Sequence, residues 1–313
     1  MMEINKDNPE LSVVIPCYNC EKTIEELHQR LNKALSCLNV TFEIIYVNDN
    51  SKDRTSSLLQ SLALNDINVI AIDLMFNVGQ FRALMCGLEF ASGNYVITMD
   101  DDLQHPPEQI AQLYYAHKAN AGVDAVIGRY KKKQHSFIRN LGSLLMQKLC
   151  QNESKIQLSS FRCLNRKAVA VLLAHKTMFP LIGTLLLKST SRIINVDVEH
   201  DERKRGRSNY TLFKLIQTVL DKIFSTSLPL KFVSYSGILI SMGSLVIALY
   251  YFIQYLTGKI HLPGWTTVVL LINIYSGLLL LSIGTIGEYI FRILIEVSGG
   301  PRYYVKNVHR SRG

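Results

Sequence analysis

LSVVIPCYNCEKTIEELHQRLNKALSCLNVTFEIIYVNDN, residues 11–50, decides the fold. It begins with an apolar run, LSVVIP, and returns to another, FEIIYVN, both rich in Val and Ile. Between them Ile24, Leu27, Leu31, Leu35 and Leu38 recur at the spacing of one helix face. Strand, amphipathic helix, strand is the repeating unit of parallel sheets, because a parallel connection must cross back over the sheet. The alternation continues outward. INVIAIDL (67–74), NYVITM (94–99) and DAVIG (124–128) read as further buried strands, and Leu58, Leu59 and Leu62 mark an intervening helix. The expected domain is α/β, with a Rossmann-like, mostly parallel sheet and helices on both faces.

Sheets of this kind bind ligands at the carboxyl ends of their strands. The polar clusters of this chain fall there: Tyr18-Asn19 after the first strand, Asp49 to Asp53 after the second, Asp100 to Gln104 after the fourth. The last belongs to DDDLQHPPE, residues 100–108. Adjacent carboxylates repel one another, so the cluster costs stability unless a cation or solvent relieves it. If the strand runs on through it, Asp100 and Asp102 share a face and Gln104 continues the alternation. Hard oxygen ligands of this sort suit Mg²⁺ or Mn²⁺, which also bind phosphate oxygens. Pro106 and Pro107 then open the next helix. Taken alone, the triplet reads equally well as a solvated acidic loop capping that helix.

The final third has a different character. The 313 residues suffice for one α/β domain and an appendage. Charged residues are 19% of the chain, yet its mean hydropathy is positive. The apolar excess is local, because Phe232 to Leu256 and Leu262 to Gly287 carry no charged residue. At about 1.5 Å per residue each run crosses roughly 30 Å of hydrocarbon with some tilt, so two transmembrane helices are expected. A buried hairpin in a soluble core is disfavoured by the length of these uncharged runs. Before them, Thr211 to Ser227 places Leu212, Leu215, Ile216, Val219, Leu220 and Ile223 on one stripe. That stripe fits an interfacial helix lying on the membrane, or a helix packed on the preceding domain. The expected organisation is a catalytic domain at 1–210, an interfacial helix at 211–231, two spans within 232–291 and a basic tail at 292–313.

Charge distribution sets the orientation. Lys204, Arg205, Arg207, Lys214, Lys222 and Lys231 precede the first span, and Arg292, Arg302, Lys306, Arg310 and Arg312 follow the second. The intervening loop offers only Lys259 and His261, so both large flanks are expected in the cytoplasm. The N-terminus, MMEINKDNPE, has no apolar h-region to export the first domain. The net charge of +9 crowds near the spans and no nucleic-acid motif accompanies it. A bilayer is therefore the expected partner, and nucleic acid is not. Cys17 and Cys20 form a CxxC without a second pair or a suitably spaced histidine, and read as ordinary thiols.

Together, VIPCYN (14–19), VNDNSKDRT (47–55), FNVGQFRALMCGLEFASG (76–93) and Asp100-Asp101-Asp102 closely resemble the inverting family 2 glycosyltransferases of GT-A fold. Within them the likeness is to polyprenyl-phosphate glycosyltransferases, which include dolichol-phosphate mannose synthases and bactoprenol glucosyltransferases. It extends through ERKRGRSNY (202–210), the paired apolar runs and GGPRYYV (299–305). The resemblance implies that Pro16, Tyr18, Asn19 and Glu21 line a nucleotide pocket, with Asp49 on the base or ribose. It places Asp100 and Asp101 on the sugar-nucleotide, and Asp102 with Gln104 on a divalent metal. Arg129, Arg139 and Arg203 match positions that handle phosphate, with Ser143 close by. The donor is a nucleoside-diphosphate sugar, with UDP favoured over GDP by the bacterial character of the likeness, and the acceptor is polyprenyl (undecaprenyl) phosphate. Such enzymes act at the bacterial inner membrane and often assemble as oligomers. Gly237, Ser241 and Ser244 offer small faces where spans approach closely.

There are departures from the pattern. The usual glycine of the second motif is Asn50, a residue that tolerates left-handed backbone. A basic residue that often follows the GxS element is Asn209, and the aspartate that many relatives carry before Phe161 is Ser160. Loss of that carboxylate does not forbid transfer. A lipid monophosphate, with a second pKa near 6, is mostly dianionic at neutral pH and needs no base. Repulsion is the larger obstacle. Two dianions about 6 Å apart at an effective dielectric of 20 oppose each other by on the order of 11 kcal/mol before screening. A metal at Asp102 and arginines at 129, 139 and 203 answer that need.

Of three rival readings, a soluble protein glycosyltransferase leaves the two apolar runs unexplained, and two remain to be weighed. Processive polysaccharide synthases grip their acceptor with a QxxRW motif, and the one tryptophan here, Trp265, lies at the start of the second apolar run, so the motif is absent. A catalytically silent membrane scaffold on the same fold is the other, and Ser160 and Asn209 are what it has in its favour.

Overall fold

A computed structural model describes residues 8–130, 156–178, 180–199, 253, 257 and 264–311. Its elements run β1 (Leu11–Cys17), α1 (Ile24–Ser36), β2 (Phe42–Asn48), α2 (Thr55–Asn65), β3 (Val69–Leu74), α3 (Gln80–Phe90) and β4 (Tyr95–Thr98). A 3₁₀ turn at Pro107–Gln109 leads to α4 (Ile110–Ala119) and β5 (Ala125–Tyr130). Then follow β6 (Arg162–Asn165), α5 (Arg166–Ala174), α6 (Ile182–Ser189), β7 (Ile193–Val198), α7 (Trp265–Val297) and β8 (Val305–Arg310). The chain divides into two compact units, Met1–Arg207 with Pro301–Gly313, and Ser208–Gly300.

In the first unit the strands form one sheet in the order β7-β5-β6-β4-β1-β2-β3-β8. Pairing is parallel at β1–β2, β1–β4, β2–β3 and β5–β7. It is antiparallel at β4–β6, β5–β6 and β3–β8. β1 lies between β2 and β4, so consecutive crossovers leave it in opposite directions and open a crevice at its carboxyl end. Alternation along β1 explains the layering. Leu11, Val13 and Ile15 pack with Leu27, Leu31 and Leu59 on one face. Val14 packs with Leu84, Leu88 and Leu172 on the other. The period of two in a fully buried strand thus requires helices on both sides. Gly87 of α3 lets that helix approach closely, since a Cβ there would stand 2.3 Å from Val14 Cγ1.

β1 also shows how the crevice opens. Its pairing with β4 stops at Val14↔Thr98, whereas its pairing with β2 continues to Cys17↔Asn48. Val14 O still accepts from Met99 N across the β4 side. Two residues on, Pro16 faces the same side by strand alternation. Lacking an N–H, it leaves no donor stranded where the strands part.

Two expectations need revising. The strand carrying the aspartate triplet ends at Thr98, so residues 100–104 form a turn and not an extended run. Leu103 is the cause: it is buried in the core with φ 61, which reverses the chain after Asp102. Second, residues 305–310 of the basic tail are an edge strand on β3, running from Leu74↔Val305 to Ile70↔Arg310. Lys306 and Arg310 are exposed on it, which discourages pairing of the free edge with another strand.

The second unit contributes α7, a helix of 33 residues. Its sequence from Trp265 to Gly287 is uncharged, and Ile272, Leu279, Ile283, Ile286 and Ile290 are exposed. Many of its side chains lie outside the described residues. Among the described residues no helix is long and apolar enough to cross a membrane. The first apolar run and the 211–231 stripe lie outside the described residues.

Candidate active site

Four loops meet at the carboxyl edge of the sheet, after β1, β2, β3 and β4. They are bound to one another chiefly through backbone amides. Asn19 N donates to Ser51 Oγ (3.0 Å) and Lys52 N to Asn19 Oδ1 (2.8 Å), joining the first two loops. Glu21 N donates to Asp53 Oδ2 (3.2 Å) and Arg54 N to Glu21 Oε2 (3.2 Å), which extends the seam. Asn19 and Asn50 both adopt φ 53. Asn enters this left-handed region more readily than most residues, and so Asn50 serves where a glycine is usual.

Asp49 is buried, 3% exposed, and its oxygens accept Val78 N (2.7 Å) and Gly79 N (2.8 Å). Asn77 Nδ2 donates to Asp49 O at 3.1 Å. Gly79, at φ 86, precedes Gln80, the first residue of α3. Asp49 thus fixes the turn that starts α3, and its negative charge lies at the positive end of that helix. In this arrangement it shapes the loop between β3 and α3.

The acidic turn holds three carboxylates in three different environments. Asp100 Oδ1 accepts from Gln80 Nε2 and Oδ2 from Ser160 Oγ, each at 2.6 Å. His105 is 4% exposed, and its Nε2 lies 3.3 Å from Ser160 Oγ and 3.5 Å from Asp100 Oδ2. Its ring stands edge-on to Phe161 at 5.4 Å. Since Ser160 gives its proton to Asp100, it offers the His105 ring nitrogen its lone pairs.

Asp101 turns inward. Its Oδ2 accepts Tyr18 N at 3.1 Å, and its backbone carbonyl accepts Thr23 Oγ1 at 2.9 Å. Burial, with the charges of Asp100 and Asp102, raises its pKa to about 7 against the hydrogen bond donated by Tyr18 N. Cys17, Cys20 and Asp101 bring ligand-capable atoms within 4.8 Å of one another. Burial first, and then Cys20 and Asp101, hold the Cys17 thiol well above its ordinary pKa.

Asp102 and Gln104 flank Leu103, and Asp102 Oδ1 accepts Gln104 N at 3.1 Å. Both are partly exposed at the crevice. A carboxylate and an amide oxygen in one tight turn form a hard donor set that fits Mg²⁺ or Mn²⁺. A leucine held at positive φ costs about 1–3 kcal/mol, and the core contact of its side chain keeps it there.

Tyr18, Asn19, Glu21, Asp49, Asp100, Asp101, Asp102 and Gln104 are therefore all on the loops of one edge, and Pro16 is the penultimate residue of β1 beside them. Arg129 is at the end of β5, where Nε donates to Asp197 Oδ1 of β7 at 2.6 Å. Asp197 raises its pKa further, and the guanidinium is exposed to solvent. Arg139, Ser143 and Arg203 lie outside the described residues. Sequence reasoning missed Gln80 and His105. Each sits inside a quoted motif, yet only its tertiary contact with Asp100 or Ser160 reveals what it does.

The chain is similar to known proteins. The family model described as "Glycosyl transferase family 2" matches residues 12–173. An uncharacterized glycosyltransferase of Synechocystis is 34% identical over 96% of this chain and 95% of its own length. The undecaprenyl-phosphate 4-deoxy-4-formamido-L-arabinose transferase of Proteus mirabilis is 33% identical over 98% of this chain and 94% of its own. Among solved structures, mannosyl-3-phosphoglycerate synthase of Rubrobacter xylanophilus shares the fold. Its TM-score is 0.51 at 16% identity, covering 69% of this chain and 72% of that one.

Proposed function

This chain belongs to glycosyl transferase family 2, and on that premise we propose that it moves a sugar from a nucleoside-diphosphate sugar to polyprenyl phosphate. The donor favoured is a UDP-sugar, and the acceptor undecaprenyl phosphate. The observation that carries the reading is the turn at 100–104. It presents Asp102 and Gln104 at the edge where β1 and β4 part, next to an Asp100 held by Gln80 and Ser160.

The chemistry follows from the charges. An oxygen of the acceptor phosphate attacks the anomeric carbon from the face opposite the diphosphate. The new carbon–oxygen bond forms as the bond to the departing diphosphate breaks, which inverts the centre. A dianionic nucleophile has no proton to lose, so a hydroxyl at position 160 is sufficient where others carry a carboxylate. Asp100, with both oxygens engaged, is a fixed acceptor positioned for a sugar hydroxyl and not a free base. Asp102 and Gln104 are the residues that would hold Mg²⁺ or Mn²⁺, which when bound neutralises diphosphate charge. Arg129, and with it Arg139, Ser143 and Arg203, receive the acceptor phosphate.

A lipid acceptor calls for a membrane enzyme. The uncharged stretches 232–256 and 262–287 are read as two spans, with the catalytic unit and C-terminus on the cytoplasmic side of a bacterial inner membrane. Exposed Ile272, Leu279, Ile283 and Ile286 on α7 support that reading, since water is a poor solvent for such a surface. The small side chains of Gly237, Ser241 and Ser244 would let spans approach closely, and a homo-oligomer is proposed on that ground.

The test is incubation of purified full-length protein with undecaprenyl phosphate and a panel of labelled UDP- and GDP-sugars. Label passing into the organic phase as a lipid phosphate sugar is the expected result. Nucleotide binding without product from any donor would leave the scaffold reading in possession of the site.

A further inference from the structure

The C-terminal segment touches both loops that meet at Asp49. Asp73, at the end of β3, accepts Asn48 Nδ2 (2.6 Å) and Ser56 Oγ (3.0 Å) on Oδ1. Its Oδ2 faces His309 Nε2 of β8 at 3.1 Å. Asn48 immediately precedes Asp49, and its own Oδ1 accepts Ser51 N at 3.0 Å. A short chain of polar contacts therefore runs from His309 to the 48–56 loop. The second link is one turn of chain away. Met75 N donates to Tyr304 O at 2.9 Å, and the rings of Phe76 and Tyr304 stand 5.9 Å apart. Phe76 leads directly into Asn77, Val78 and Gly79, the turn that engages Asp49. Nearby, the Tyr303 hydroxyl donates to Glu89, and Arg302 Nε donates to Thr177 O at 3.2 Å. Six residues of edge strand would not need these side-chain ties merely to cover an edge.

We propose that the C-terminal segment is a working part of the donor site: His309 through Asp73, and Tyr304 through Met75 and Phe76, hold the two loops in their binding conformation. His309 is a positioning residue here, and the ligand it serves is the nucleoside diphosphate. The inference rests on the reading of Asp49, which the 48–56 and 75–79 loops hold between them, as part of the nucleotide pocket.

Coupling of this kind is reciprocal: if the docked strand favours nucleotide, nucleotide favours docking by the same factor. The experiment measures UDP and GDP affinity of the full chain in detergent with Mg²⁺, by calorimetry, alongside melting temperature. His309→Ala should weaken binding of the preferred nucleotide about tenfold, the scale of one lost hydrogen bond to a charged group. In sugar-transfer assays it should raise the donor KM with kcat within about twofold, the signature of lost ground-state positioning. His309→Gln, which keeps an N–H at similar reach, should restore affinity to within about threefold. Lys306→Ala, exposed on the same strand, should match wild type in affinity.

Equal affinity of His309→Ala and wild type, or no recovery in His309→Gln, would overturn the inference while leaving the site reading intact. Wild-type protein that binds neither nucleotide would overturn the site reading and the inference with it. Should His309→Ala not fold, hydrogen exchange on wild type decides the matter. UDP or GDP must slow exchange of the 305–310 amides, and unchanged exchange at saturating nucleotide contradicts the coupling.

Discussion

Ser160 Oγ donates to Asp100 Oδ2 at 2.6 Å, so position 160 supplies a proton to the acidic turn in place of a second negative charge. The exchange is chemically coherent for a phosphate acceptor, which arrives already ionised. Ser160→Ala removes the donor and leaves Asp100 with Gln80 alone among the side-chain bonds described above. Its kcat should fall about tenfold, the scale of one hydrogen bond to a charged group. Unchanged kcat in steady-state assays would show that the bond is incidental.

Packing behind the site gives a second prediction. Gly87→Ala would set its Cβ 2.3 Å from Val14 Cγ1 and 3.1 Å from Val47 Cγ2. Both are stiff, buried β-branched side chains, so α3 must shift. Chemical denaturation should show a loss of about 1–3 kcal/mol. Val14→Ala in the same chain should recover much of it, with a coupling of about 1 kcal/mol or more in the double-mutant cycle. Purely additive losses would mean that the helix relaxes elsewhere.

Asp124 predicts a pH dependence. It is 7% exposed before β5 and accepts Thr190 Oγ1 (2.6 Å), Arg192 Nε (3.1 Å) and Asn165 Nδ2 (3.1 Å). Burial opposes its ionisation, but the bonds from Thr190 and Asn165 and the charge of Arg192 outweigh it and lower the pKa. A depressed carboxylate stabilises the fold above its unfolded pKa of about 3.9 and loses that contribution as pH falls through the folded value. Asp124→Asn should therefore cost about 2 kcal/mol at pH 7. The gap from wild type should close as melting is followed to below about pH 4. A gap independent of pH would assign the loss to shape and not to charge.

The acceptor side is tested at Arg129. If it receives the lipid phosphate, Arg129→Ala should raise the KM for that acceptor about tenfold while leaving the donor KM unchanged. Equal effects on both substrates would confine it to its ion pair with Asp197.

What the sequence made legible follows the strength of local signals. β1 to β5 are runs of Val and Ile with helical stripes between them, and Ile24, Leu27, Leu31 and Leu35 are all buried on α1. The antiparallel strands escaped notice. β6 is four residues long with a buried arginine, Arg162, in it, and β8, VKNVHR, carries the composition of a basic tail. Only their pairing partners make them strands. The aspartate triplet was evident as chemistry, but its shape was not. Leu103 at φ 61 is imposed by core burial, which no local propensity announces. Gln80 and His105 were hidden for the same reason, since their contacts to Asp100 and Ser160 span 20 and 55 residues.

Charge neutralisation at the acidic turn depends most on Asp102. Formation of lipid-linked sugar from labelled donor and undecaprenyl phosphate should be followed across Mg²⁺ and Mn²⁺ titrations for wild type and Asp102→Asn. Wild-type turnover should rise with either metal, and the variant should be slower by about 100-fold or more, the scale for removal of one key electrostatic group. An Asp102→Asn enzyme turning over at the wild-type rate would contradict the claim that this turn brings two phosphorylated substrates together.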